Sequence, residues 1–97
     1  MRSIRKQAQA ELDLVEIWLY TFERWSEEQA DRYLDELGAG IEKLRRYPEL
    51  GARCDFIREG YRSLRINRHV AYYTVGESEV TVVRVLHQRM SPRLGSS

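Results

Sequence analysis

From about residue 8 to residue 25 the chain runs without Gly or Pro, and Ala8, Leu12, Val15, Leu19 and Phe22 recur at helical spacing. Leu14, Ile17, Trp18 and Trp25 fall on neighbouring faces, so the predicted helix carries a wider apolar arc than one stripe of contact requires. Ser26 stands three residues before Gln29, the spacing in which a serine caps the first open N–H groups of a helix. A second helix is predicted from there. Along it Ala30, Tyr33, Leu34, Leu37, Ile41 and Leu44 form one apolar stripe, opposed by Asp31, Asp35, Glu36, Glu42, Lys43 and Arg45, until Pro48 and Gly51 end it. Residues from about 8 to 47 therefore read as a helical hairpin. Gly38 and Gly40 weaken its second arm, and small residues there let another element approach closely.

Beyond Gly51 the period changes to two. Phe56 and Ile57 lead into Gly60, and residues 61–66, 69–75 and 79–86 are rich in Val, Tyr, Ile and Leu, with tight turns at Asn67-Arg68 and Gly76-Glu77-Ser78. Connections that short force antiparallel neighbours, so residues from about 56 to 88 read as a β-meander, joined by a short strand near residues 3–5. The expected fold class is α+β: an N-terminal two-helix hairpin packed on a small antiparallel sheet, one domain over residues 1–97 with a short C-terminal tail. Strict alternation along the last strand places Val80, Val82, Arg84 and Leu86 on one side and Thr81, Val83, Val85 and His87 on the other. Both sides are then substantially apolar, which points to a protein partner; cover within the domain or by a homodimer is the alternative.

Composition narrows the class. Of 97 residues 42% are hydrophobic and 32% charged, enough for one core under a charged surface. The single Cys54 excludes an intramolecular disulfide and a cysteine-rich zinc site, and fits a reducing, cytoplasmic setting. No run approaches the roughly 20 apolar residues of a bilayer span, and the first residues do not resemble a signal peptide, so no membrane partner is expected. The net charge of +1 hides an asymmetry: residues 1–50 hold eight Lys+Arg against eleven Asp+Glu, residues 51–97 eight against four. All eight cations of the second half are arginine (Arg53, Arg58, Arg62, Arg65, Arg68, Arg84, Arg89 and Arg93), a residue suited to bidentate contact with an acidic partner.

Catalytic chemistry is sparse. His69 and His87 are the only histidines and fall on different predicted strands, with no paired ligands on a helix, so neither metal nor cofactor is expected. Glu11, Asp13, Glu16, Glu23, Glu27 and Glu28 fall at spacings of solvated helix faces, and Ser63 and Ser91 lack a nucleophile context. One catalytic idea stays open, metal-free RNA cleavage, with His87 as acid or base beside Arg84 and Arg89. Arg62, Arg65 and Tyr73 would add phosphate contacts and a base-stacking surface if they share the same open face. Against it stands the plain reading of both histidines as hydrogen-bonded strand residues, with Arg84 neutralised by a carboxylate.

In order along the chain stand Ala10-x-x-Asp13-Leu14-x-x-Ile17-Trp18, Tyr20-Thr21, Trp25, Gln29-Ala30-x-x-Tyr33-Leu34-x-x-Leu37 and Pro48-x-Leu50-Gly51. They are followed by Ile57-Arg58-x-Gly60-Tyr61-Arg62, His69-Val70-x-Tyr72-Tyr73 and Val83-Arg84-Val85-Leu86-His87-Gln88-Arg89-Met90. This ordered set resembles the ParE toxins of bacterial type II toxin-antitoxin systems, within the ParE/RelE superfamily. The resemblance implies a growth-arresting toxin that inhibits DNA gyrase by protein–protein contact, has no catalytic residues, and is neutralised by a ParD-like antitoxin. The antitoxin's disordered segment would fold onto the toxin, and DNA binding would belong to the antitoxin rather than to this chain. It further implies Trp18, Tyr33, Arg58, Tyr61, Arg62 and Arg84 as antitoxin contacts, and His87, Arg89, Met90 and Arg93 as the target-directed end. Gln7 stands where the family usually has serine, which alters the first helix cap. The alternative within the superfamily is a RelE-like, ribosome-dependent mRNA endonuclease using His87 with Arg62 and Arg84.

Overall fold

The computed structural model describes residues 1–90. Strand β1 (Ser3–Lys6) leads into helix α1 (Ala8–Arg24), and helix α2 (Glu27–Glu42) folds back and ends in a single 3-10 turn (Lys43–Arg45). Four strands follow: β2 (Ala52–Arg53), β3 (Arg62–Ile66), β4 (His69–Val75) and β5 (Glu79–His87). The Ser26 hydroxyl accepts the Gln29 N–H at 3.1 Å, so the cap read from the sequence starts α2. Gln7 makes no side-chain cap for α1; its backbone N–H instead donates to the Val82 carbonyl at 3.0 Å and ties the helix start to β5.

The sheet order is β1-β5-β4-β3-β2. The run from β2 to β5 is antiparallel, as the short turns demand, but β1 lies parallel to β5. The sheet is therefore mixed, which corrects the all-antiparallel expectation. No hairpin joins β1 to β5; the whole helical hairpin and three strands intervene, so chain direction at that edge is set by where α1 must start. Strand β2, two residues long, lies ahead of the meander expected from about residue 56.

A bulge corrects the alternation on β5. Tyr73 pairs with Val82 but Tyr72 pairs with Arg84, leaving Val83 as an extra residue that shifts the side-chain phase by one. Val80, Val82, Val85 and His87 consequently share the helix side, and Thr81, Arg84 and Leu86 the other. The helix side forms the main core, in which Ala71, Tyr73, Val80, Val82 and Val85 meet Ala10, Ile17, Leu37, Ile41 and Leu44. On the far side Tyr72 and Leu86 are buried with Cys54 under Ile57, Tyr61 and Val70. That surplus apolar surface is thus covered within the chain by the segment between β2 and β3.

Two close approaches fix the layers. A Cβ on Gly40 would stand 2.6 Å from the Ile66 side chain, so α2 and β3 meet where only hydrogen fits. Tyr73, predicted as an open base-stacking surface, is 0% exposed. Its hydroxyl accepts the Gly51 N–H and donates to the Pro48 carbonyl, both at 2.8 Å, pinning the turn after the helical hairpin.

Candidate functional site

Between α1, the start of α2 and the last residues of β5 lies an open cleft of about 800 Å³. Its α1 wall comprises Asp13, Glu16, Ile17, Tyr20 and Thr21, on the turns adjoining the buried face, and its opposite wall comprises Arg84–His87. Trp25, Gln29 and Tyr33 close one end with Arg68, His69 and Met90. Tyr20, Trp25 and Met90 are large apolar side chains exposed there, Trp25 at 74%.

Asp13 decides how α1 sits. Counted as a solvated carboxylate in the sequence, it is only 5% exposed, because it shares its helix face with Ala10 and Ile17. β1 pairs with β5 only as far as Val82, and beyond that point Asp13 takes the place of a neighbouring strand: it accepts the Val85 N–H at 2.9 Å. The same carboxylate receives the Arg84 guanidinium in two bonds of 2.8 and 3.0 Å, which holds the arginine's pKa above its ordinary value. A buried carboxylate is tolerated only with such partners.

At the other end the pairing of β4 with β5 sets His69 opposite His87, with ring centroids 5.4 Å apart and nearly perpendicular. The Tyr33 hydroxyl accepts the Arg68 N–H at 3.2 Å and meets His69 Nδ1 at 2.7 Å. With the oxygen so engaged, the hydroxyl proton points to Nδ1, leaving the His69 proton on Nε2. Burial, and next the nearby His87, push the His69 pKa down to about 4, while burial raises that of Tyr33. His87 Nδ1 accepts the Arg89 N–H at 3.2 Å. Both histidines therefore serve as hydrogen-bonded strand residues. Among the described residues no three His, Cys, Asp or Glu side chains gather as a metal site.

The residues singled out in the sequence separate into four places. Tyr33, Arg84, His87 and Met90 line the cleft. Trp18 lies against α2, donating its indole N–H to Asp31 at 2.9 Å and stacking on Phe22. Arg58 and Tyr61 belong to the far side of the sheet, where Tyr61 packs over Tyr72 and Leu86 and Arg58 is exposed. Arg62, paired with Tyr73 on the helix side, donates its guanidinium to the Gly51 carbonyl at 2.7 Å, at the turn that Tyr73 pins. Arg89 is exposed at the end of β5, and Arg93 lies outside the described residues. His87, Arg62 and Arg84 do not converge as RNA cleavage would need, since Arg62 stands beside Tyr73, at the other end of β4 from the His69–His87 pair, and is turned to the Gly51 carbonyl, while Arg84 is held by Asp13. Sequence reasoning missed Tyr20, Gln29 and Arg68 as cleft residues, and misread Asp13, whose place three residues after Ala10 and four before Ile17 was the available signal.

The family model described as ParE toxin of type II toxin-antitoxin system, parDE, matches residues 4–92. The chain is 49% identical over 82 residues to Toxin ParE1 of Mycobacterium tuberculosis, covering 84% of each chain. It is 41% identical over 93 residues to Toxin ParE1 of Caulobacter vibrioides, covering 96% of each. Among solved structures, the chromosomal ParDE toxin-antitoxin system from P. aeruginosa superposes with a TM-score of 0.80 at 20% identity, over 90% of this chain and 96% of that one.

Proposed function

The chain belongs to the ParE toxin family of type II toxin-antitoxin systems, and from that premise we propose that it inhibits DNA gyrase by surface contact and is neutralised by a ParD-like antitoxin seated in the α1–β5 cleft. The observation that carries the reading is the cleft itself. Tyr20, Trp25 and Met90 present apolar surface to solvent along an open concavity suited to a chain segment that folds as it binds. Tyr33 closes one end of it, and the exposed Arg68 beside Tyr33 supplies a cation for an acidic residue of that segment.

Neutralisation is then steric. His87 and Met90, at the target-directed end, line the same cleft as Tyr33, so a segment that fills it covers the surface offered to gyrase. Arg89 stands beside them, and Arg93 follows in the sequence. Arg58 and Tyr61, across the sheet, would be reached only by an antitoxin that continues around the far side. Trp18 and Arg62 act in this reading as supports of the hairpin and the turn, and Arg84 as a cleft residue fixed by Asp13.

The test is a gyrase supercoiling assay with ATP and relaxed plasmid. The purified chain should abolish supercoiling, cognate antitoxin should restore it, and Arg89→Ala with Met90→Ala should weaken inhibition while leaving the fold unchanged by circular dichroism. Undiminished supercoiling by a folded sample sinks the gyrase reading for the enzyme assayed.

A further inference from the structure

Helix α1 presents a second apolar surface that the cleft does not use. Leu12, Val15, Leu19 and Phe22 are 44–55% exposed, on the side of α1 turned away from the sheet, and none of them lines the cleft. Their spacing of three, four and three residues, preceded by Ala8 four residues earlier, is that of a coiled-coil seam, with Ala8, Val15 and Phe22 at d and Leu12 and Leu19 at a. Leu12 to Phe22 spans roughly 15 Å, just under three helical turns of contact. Such a seam is matched by another helix, whose side chains enter the holes between these four; a strand, with its period of two, would meet only alternate ones.

Charge decides which helix. In the same heptad frame the e positions carry Gln9, Glu16 and Glu23 and the g positions Glu11, Trp18 and Trp25, so every charge on the two flanks is a carboxylate. The one cation of α1, Arg24, is turned away over the Tyr20 ring at 5.2 Å. A second copy of this chain would set glutamate against glutamate in either orientation, whereas Lys or Arg at the flanks of a partner helix would meet them favourably. The seam is also pre-ordered, because the Trp18 ring stacks on Phe22 at 5.2 Å and is itself held by Asp31. We infer that the outer face of α1 is a docking seam for a basic amphipathic helix of a partner protein, with its four apolar residues outside the cleft and its Glu16 flank bordering it. The inference stands on the seam's spacing and charge and does not depend on the gyrase reading.

Two labelled 21-residue peptides test it on the full chain by fluorescence anisotropy. Both carry Ile at a and Leu at d; one has Lys at every e and g position and the other Glu. The basic peptide is expected to bind at least tenfold more tightly than the acidic one. Val15→Gln with Leu19→Gln should weaken it at least tenfold, and Met90→Ala, in the cleft, should leave it unchanged. Glu11→Lys, Glu16→Lys and Glu23→Lys together should reverse the preference; these sites are exposed, and circular dichroism checks the fold. Equal binding of the two peptides, or binding indifferent to the Gln substitutions, overturns the inference. So does a dimer in sedimentation that the Gln substitutions dissociate, which would make the occupant a second copy, or binding of the chain to anionic lipid vesicles lost in the same variant.

Discussion

At the scale of single residues, Asp13 holds more of the molecule together than any other charged group described. It replaces a missing strand for Val85 and neutralises Arg84, so Asp13→Ala leaves a donor and a guanidinium without their acceptor. Breaking a buried pair costs several kcal/mol, lessened here because the Arg84 side chain is a quarter exposed; a loss of about 2–4 kcal/mol is expected from urea unfolding. Adding Arg84→Met should recover at least about 1 kcal/mol of it, since the orphaned charge is removed. Tyr73→Phe tests the turn in the same way: with Gly51 N–H and the Pro48 carbonyl both losing a partner, a cost of about 1–3 kcal/mol is expected. His69 gives a pH signature. Its folded pKa of about 4 lies below the roughly 6.5 of an unfolded histidine, so between those values the unfolded chain binds more protons and stability falls as pH drops. The urea midpoint should decline from pH 6.5 towards 4, and His69→Gln should flatten that part of the profile; an unchanged slope would show that His69 titrates normally.

At the scale of elements, the two glycines of α2 have opposite meanings although they stand two residues apart. A Cβ at Gly38 meets nothing within 4 Å, so Gly38→Ala should stabilise the chain by about 0.5–1 kcal/mol through helix propensity alone. Gly40→Ala drives a methyl into Ile66 and should lower the thermal midpoint, with Ile66→Val restoring part of the loss. Helix starts, strand spans and turns were legible because each depends on local spacing: Ser26 with Gln29, the run His69–Val75, and the turn at Asn67, whose φ of 58° asparagine tolerates. The bulge at Val83 was not legible. Valines on both sides of it make either phase of β5 look apolar, and only the packing of Val82 and Val85 against the helices selects between them.

At the scale of the whole molecule, the cleft joins groups from four elements. Trp25 is its most exposed aromatic, so in a Trp18→Phe background the emission of Trp25 should shift to the blue and resist quenching when antitoxin binds. An unshifted spectrum in a complex proven by size would place the antitoxin elsewhere. By itself the sequence determined the class of fold, the hairpin and meander, and, through an ordered series of motifs, the family. These are local patterns, or patterns of order, that survive without coordinates. The tertiary structure alone decided which arc of α1 is buried, that β1 runs parallel to β5, and that Asp13, Arg84 and Val85 meet. It alone joined Tyr33, His69 and His87 into one end of a cleft. Each depends on residues tens of positions apart, where burial and hydrogen bonding are settled by how the layers pack and not by the spacing of neighbours along the chain.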